Sequence, residues 1–399
     1  MIDAKSLKPG SLVIHGGQSV EPVTGAVVPP IFTSATYAQS SPGEHKGFEY
    51  TRSHNPTRYA LERLLATLEG SEITLDEDPS LGGFAFSSGL AAMATCLELV
   101  EHGARIVASD DLYGGSRRQL SMVRERTQGL EVVYVDMTDL DAFAQAMTPA
   151  TAMVWVETPT NPMMKIIDLE EVTRIARAAS ENVLLVCDNT FATPFSQRPF
   201  DLGFDVAMHS TTKYINGHSD VVGGALIAKT TPLAEQLRFL QNAIGSVMAP
   251  FDASQTLRGA KTLGIRMERH TENATELARF LEAHPRVESV IYPGLDNHPQ
   301  VDLVKRQMRL AGGMITFCID GGLAEARRFA ESVRIFQLAE SLGAVESLVN
   351  HPAIMTHASV PAATRDKLGI GDNLLRLSVG IESIEDLVAD VEQALESIN

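Results

Sequence analysis

Cysteine is scarce in this chain: Cys96, Cys187 and Cys318 are its 3, odd in number, far apart and each in an apolar setting. That usage excludes a disulfide framework, offers no metal-ligand spacing and suits a reducing, cytoplasmic compartment. Positive charge is also in short supply. With 33 Lys and Arg against 50 Asp and Glu the formal net charge is -17, so neither nucleic acid nor an anionic membrane surface is expected as a partner, because both require a basic face. No apolar run approaches the length of a membrane span. Residues 1–15 mix Asp3, Lys5, Lys8 and Pro9 with few apolar residues, so no signal peptide is expected there. The sequence has no G-x-x-x-x-G-K-[ST], and Gly369-Ile-Gly371 neither completes a G-x-G-x-x-G nor follows a strand. Walker-type nucleotide binding and nicotinamide chemistry are therefore disfavoured. There is no internal repeat and no low-complexity segment.

What is present is an ordinary globular composition, 44% hydrophobic and 21% charged over 399 residues, a length at which one core divides into a larger and a smaller domain. Residues 1–60 carry Pro22, Pro29, Pro30, Pro42 and Pro56 among many Ser, Thr and Gly, which predicts an irregular arm that must pack on something. Leu61, Leu64, Leu65 and Leu68 space a helix over Tyr59–Leu68. Ser71–Gly83 reads as an acidic, solvated loop. From Phe84 onward short apolar runs (Arg105–Ser109, Val132–Val135, Ala152–Val156, Val183–Cys187, Val206–Met208, Ala225–Ala228) alternate with helical segments such as Leu169–Ala179. That alternation predicts an α/β domain over 61–255, a mainly parallel sheet flanked by helices. Beyond residue 256 longer helical segments (Thr271–Ala283, Glu325–Ser332, Ile384–Ser397) surround strand candidates at Val287–Tyr292, Met314–Ile319 and Leu374–Val379. They predict a smaller α+β domain over 256–399.

Chemistry concentrates at predicted strand ends. The run Val206–Met208 leads into His209-Ser-Thr-Thr-Lys213. A lysine just past a strand stands where α/β proteins place ligands, and its amine can attack a carbonyl once its pKa is depressed. Ser210 and Thr212 flank it with hydroxyls suited to phosphate oxygens. Ser87-Ser88-Gly89-Leu90 lies between Phe84–Phe86 and a helical stretch, as either an anion cradle or a plain helix cap. Asp188 ends the apolar run Val183–Cys187 and needs a partner, either a protonated ring nitrogen or the next turn. Tyr113, in Asp110-Asp-Leu-Tyr-Gly-Gly115, either stacks on a flat ring or packs at an edge. Arg376, a lone cation in Leu374–Gly380, has the planar fork that grips a carboxylate. Together an amine, a ring-nitrogen acid, a phosphate cradle, a stacking ring and a carboxylate clamp are the parts that pyridoxal 5'-phosphate (PLP) chemistry on an amino acid requires.

Ser210-Thr-Thr-Lys-Tyr-Ile-Asn-Gly-His-Ser-Asp220, Glu157-Thr-Pro-Thr-Asn-Pro162, Asp188-Asn-Thr190 and Arg376-Leu-Ser-Val-Gly-Ile-Glu382 resemble the Cys/Met-metabolism family of PLP enzymes, from about Pro29 to Glu396. The resemblance implies the aspartate-aminotransferase-like (type I) fold and a homotetramer built as a dimer of active-site-sharing dimers. It implies Lys213 as the Schiff-base lysine, Asp188 as the ring-nitrogen partner and Tyr113 as the stacking residue. It implies phosphate binding by Gly89, Leu90, Ser210 and Thr212, joined by Tyr50 and Arg52 reaching from the arm into the neighbouring subunit. Asn161, Ser341 and Arg376 would hold the substrate carboxylate. Glu340 stands where methionine γ-lyases tend to carry an apolar residue, and Gly115 where they carry a reactive Cys. Glu49 and Glu340 would receive the distal ammonium of cystathionine. The activity so implied is α,γ-elimination of L-cystathionine to cysteine, 2-oxobutanoate and ammonia. Alternatives are γ-replacement on an acyl-homoserine, then cystathionine β-elimination or methionine γ-elimination. His54, where Gly is more usual, and the insertion-like loop 71–83 depart from the family pattern.

Overall fold

The computed structural model describes residues 7–358 and 360–398. The chain divides into two compact units, one of residues up to Glu101 with Leu184–Thr190 and Arg198–Gly264, the other of His102–Val183, Phe191–Gln197 and the chain from Ile265 onward. Strands β1 (Gly83–Phe86), β2 (Arg105–Ser109), β3 (Glu131–Val135), β4 (Thr151–Glu157), β5 (Leu184–Asp188), β6 (Val206–His209) and β7 (Gly224–Ala228) come first in the chain. They are followed by β8 (Val287–Ile291), β9 (Met314–Ile319), β10 (Gln337–Leu338), β11 (Leu348–Asn350) and β12 (Leu374–Ser378).

In the first unit the strands lie in the order β1-β7-β6-β5. β5 and β6 run parallel with Asp188 opposite Met208, while β7 is antiparallel to β6 and to β1. The arm carries a short helix, α1 (Pro9–His15), before α2 (Pro56–Glu69). Residues between them are largely irregular, with an isolated bridge between Thr36 and Tyr50. α2 starts because the Asn55 side chain accepts from the amides of Thr57 and Arg58, with Pro56 at the first helical position, and it stops at Gly70, whose φ of 83° is left-handed. Its leucines 61, 64, 65 and 68 are buried as their spacing predicts, yet so are Arg58, Glu62 and Glu69. Helix α3 (Gly89–Cys96) is capped by Ser88, whose side chain accepts from the Ala91 amide.

The loop 71–83 differs from its sequence expectation, for Asp78 and Ser80 are buried. Asp78 is ion-paired to Arg238, and Arg63 Nε donates to the Pro79 carbonyl at 2.6 Å. A buried carboxylate with an Arg partner anchors the loop, which composition alone could not reveal. Helices Thr231–Ile244 and Pro250–Ala260 follow β7 in segments that the sequence pattern did not single out by their bounds.

In the second unit β2 is parallel to both β3 and β4. A five-stranded sheet has the order β10-β11-β12-β9-β8, antiparallel except between β10 and β11. Its apolar residues, Phe317 and Leu377 among them, pack against Leu277 and Leu281 of the helix Leu263–Ala283, Phe329 of Leu323–Ser332 and Val391 of Ile384–Glu396. These are the α+β elements predicted for the C-terminal part. Among the described residues no helix is long and apolar enough to cross a membrane.

Candidate active site

In the first unit the turn at the end of β1 meets the segment after β6. A Cβ on Gly89 would lie 3.0 Å from Cβ of Ser210 and 3.2 Å from its Oγ, so the two turns approach closely where a glycine leaves room. One hydroxyl then links Ser210 to Asp188. Thr190 Oγ1 accepts from the Ser210 amide at 2.8 Å and donates to Asp188 Oδ1 at 2.5 Å, while the Thr190 amide reaches the same oxygen at 3.1 Å. The Thr190 hydroxyl donates its one proton to the carboxylate, which when ionised can only accept, and a lone pair of the same oxygen serves the amide. Asp188 is only 7% exposed. Burial pushes its carboxyl above the usual carboxylate range, against the pull of the Thr190 hydroxyl and amide and of His209. A cationic ring nitrogen is the partner that such a carboxyl lacks, so the site fits the protonated pyridine of PLP.

Lys213 is half-buried in the turn after β6, its amide bonded to the Ser210 carbonyl at 3.2 Å and its carbonyl accepting from Gly217 at 2.8 Å. The Thr212 hydroxyl spans Gly223, donating to its carbonyl at 3.1 Å and accepting from its amide at 3.0 Å. Leu90 is half-buried in the first turn of α3. Tyr50 and Arg52 stand exposed on the arm, with Arg52 5.5 Å from the Tyr50 ring centroid and its Nε 3.2 Å from Asn242 Oδ1. Glu49 is exposed 3.6 Å from His45. Arg58 shapes this segment from inside, donating to the carbonyls of Thr51, Arg52 and Ser53 at 2.8, 3.1 and 3.2 Å. His54 Nδ1 lies 2.6 Å from the Tyr59 hydroxyl, and burial, aided by Arg238 and Arg58, lowers its pKa.

The second unit holds Tyr113, Asn161, Glu340, Ser341 and Arg376. It brings Asn161, Ser341 and Arg376 together: Arg376 Nη1 donates to Asn161 Oδ1 at 2.6 Å and Nη2 to the Ser341 carbonyl at 3.1 Å. Arg376 is buried on β12. Ser341 takes φ = 97°, rare for a side-chain-bearing residue, and Glu340 beside it is exposed. Tyr113 is 40% exposed and its amide donates to Glu157 Oε2 at 3.0 Å. A Cβ on Gly115 would come within 2.4 Å of the Tyr113 ring, so any side chain there displaces that ring.

Residues that sequence reasoning left without a role hold these groups in place. Asp111, wholly buried, accepts from Thr160 Oγ1 at 2.5 Å and from the Met163 amide at 3.0 Å, tying the Tyr113 loop to the segment that bears Asn161. Burial raises its carboxyl to about 6. His357 Nε2 donates to the Asn161 carbonyl at 3.0 Å. Burial, with the Arg376 charge, lowers its pKa to about 4, so the ring is neutral near pH 7. Neither residue has a spacing that announces it. Thr190 stands close to Asp188 in sequence, and a hydroxyl two residues past a buried carboxylate was the one available signal.

A family model for Cys/Met metabolism PLP-dependent enzymes matches residues 10–396. The chain is 55% identical over 384 residues to the cystathionine beta-lyase of Coxiella burnetii (strain RSA 493 / Nine Mile phase I), covering 96% of each protein. It is 48% identical over 397 residues to the cystathionine gamma-lyase of Dictyostelium discoideum, covering 99% of this chain and 100% of that one. The crystal structure of cystathionine gamma synthase from Xanthomonas oryzae pv. oryzae in complex with cystathionine matches with a TM-score of 0.93 at 42% identity over 98% of both chains. The mixed α/β architecture is the type I PLP fold that the sequence motifs imply. With the family's model spanning residues 10–396, the chain belongs to the Cys/Met-metabolism family of PLP-dependent enzymes, and it is a carbon–sulfur lyase that uses pyridoxal 5'-phosphate.

Proposed function

We propose that the protein is a cystathionine γ-lyase: L-cystathionine and water give L-cysteine, 2-oxobutanoate and ammonia. The observation that carries the amino-acid part of this reading is the buried Arg376 guanidinium oriented by Asn161 and the Ser341 carbonyl, a fork suited to an α-carboxylate. When bound, PLP supplies a sink for the electron pair left at the substrate Cα. Asp188 would keep the ring nitrogen protonated, and Tyr113 would supply the stacking ring. The backbone amides of Gly89 and Leu90 and the Ser210 hydroxyl would hold the phosphate, joined by the Thr212 hydroxyl once it turns from the Gly223 carbonyl. Lys213 would hold the cofactor, and its amine would stand as the base that takes the substrate's Cα proton and moves it onward. Glu340 and Glu49 receive the distal ammonium of cystathionine.

Gly115 supports this choice over methionine γ-elimination, since methionine γ-lyases carry a reactive cysteine at that place. In this reading residues 61–255 work as the cofactor domain and 256–399 as the C-terminal domain. The arm of residues 1–60 lends Tyr50 and Arg52 to a neighbouring subunit of a cytoplasmic homotetramer. The free cysteines accord with that compartment. A second reading, β-elimination, is favoured by the 55% identity to a protein named cystathionine beta-lyase. Product analysis with L-cystathionine separates the two: the γ-lyase releases cysteine and 2-oxobutanoate, whereas a β-lyase releases homocysteine and pyruvate. Predominant pyruvate would overturn the proposal. Condensation of an acyl-homoserine with cysteine, outpacing cleavage, would make the protein a γ-synthase.

A further inference from the structure

Three buried side chains outside the proposed chemistry converge beside Asp188. Glu69 is the last residue of α2, His209 the last of β6, and Asn189 the first after β5; all are wholly buried. Glu69 Oε1 lies 2.5 Å from His209 Nε2 and accepts from Asn189 Nδ2 at 3.0 Å. One carboxylate oxygen thus ties the residue after Asp188 to the residue before Ser210. The two strands it bridges are adjacent and parallel, with Asp188 opposite Met208, and the Asn189 amide donates to the Met208 carbonyl at 2.9 Å. Thr190 makes the other tie, between Asp188 and the Ser210 amide.

General stability does not account for this cluster. Glu69 Oε2 and His209 Nδ1 are buried without a hydrogen-bond partner, and each such atom costs free energy that an apolar pair of the same volume would not. What the cluster does achieve is position. A carboxylate accepting two donors holds the ends of both strands at fixed separation. Those ends carry the ring-nitrogen acid on one side and the Ser210–Lys213 segment on the other.

We propose that Glu69, acting through Asn189 and His209, is a positioning residue for the cofactor, setting the distance between Asp188 and the Ser210–Lys213 segment and thereby the affinity for PLP. This inference rests on the reading that Asp188 and Lys213 serve the cofactor. Borohydride reduction of the wild-type holoenzyme followed by peptide mapping checks that reading separately: a pyridoxyl group on a lysine other than Lys213 overturns both. With the label on Lys213, apo protein is titrated with PLP and followed by visible absorbance and by thermal melting. Glu69→Ala is expected to weaken cofactor binding roughly tenfold or more, as loss of a charge-assisted hydrogen bond implies, and to alter the absorbance of the bound cofactor per folded protomer. Glu69→Gln keeps an acceptor at Oε1 and should stay within about threefold of wild type, well short of the alanine loss. Asn189→Ala, which removes one donor only, should weaken binding in the same direction and keeps the test open if Glu69→Ala does not fold. A lowered melting temperature with wild-type cofactor affinity and absorbance, or equal losses for Gln and Ala at position 69, would overturn the proposal.

Discussion

In the first unit Asp188, Thr190 and Ser210 are joined by one hydroxyl across two adjacent strand ends. In the second, Asn161, Ser341 and Arg376 come from separate parts of the chain and meet through one guanidinium. The first arrangement is made of turns, where backbone groups and short side chains set the geometry and small residues such as Gly89 allow close approach. The second is made of a buried cation that must be satisfied by acceptors brought from elsewhere. The lesson is that damage should separate along the same line. Changes in the first unit's group should appear in cofactor affinity and absorbance, and changes in the second's in the handling of substrate.

The largest effect is expected at Lys213. Lys213→Ala should lower turnover by roughly a thousandfold or more, because in the proposed chemistry it removes both the covalent attachment and the proton-transferring amine. Residual PLP binding through the phosphate cradle is expected, measurable by dialysis and absorbance. Substantial turnover in this variant would end the comparison at its first term.

Mixing tests whether the arm belongs with the cofactor group of its own chain or of a neighbour. Arg52→Ala and Lys213→Ala, each inactive alone, should regain activity when their subunits are exchanged, since a hybrid contains one site with both wild-type residues. Subunits demonstrably mixed and still inactive would show that Arg52 does not act in trans.

Arg376→Ala sharpens the contrast from the substrate side. Truncating one partner of a buried, hydrogen-bonded charge costs about 2 to 5 kcal/mol, a loss of about 30-fold or more in kcat/KM. The loss should appear with every amino-acid substrate, while PLP affinity stays near that of the wild type. A matching collapse of cofactor affinity would erase the distinction between the two groups.

Asp111 gives the second unit its own pH signature. Burial raises its pKa from 3.8 to about 6, so the folded state holds this proton more tightly than the unfolded chain. Stability from this carboxyl is therefore full below its unfolded pKa, falls as pH rises through the window to about 6, and is level above it. The span corresponds to at most about 3 kcal/mol. Denaturant unfolding of Asp111→Asn at a series of pH values should show that slope flattened; an unchanged slope would assign it to other groups.

Specificity is the smallest effect and falls on an exposed residue. Glu340→Val should depress kcat/KM for L-cystathionine by about ten- to a hundredfold, the roughly 1.5 to 3 kcal/mol of a charge-assisted hydrogen bond. Cysteine, too short to reach the acid, should be affected less. Equal losses for both substrates would make Glu340 structural.

The legibility of the two groups differs as their construction does. Lys213, Ser210 and Asp188 were visible because each follows an apolar run, and β2, β9 and the helix Leu169–Ala179 match their predicted limits, since apolar period and β-branched content act locally. Asp111, His357 and Glu69 were not visible. Each is a polar residue whose reason lies in a partner distant in sequence: Thr160, Asn161 and His209 respectively. Asp78 misled in the other direction, reading as a solvated acid when Arg238 buries it.

What the sequence by itself determined is the α/β order of elements, which follows from hydrophobic period, and, through short motifs that resemble those of a known family, the family and the cofactor. Only the tertiary structure decided which oxygen Arg376 holds, that Thr190 commits its proton to Asp188, and that Glu69 joins the ends of β5 and β6. Those outcomes depend on burial, which strips water from polar groups and makes each find a partner across long loops.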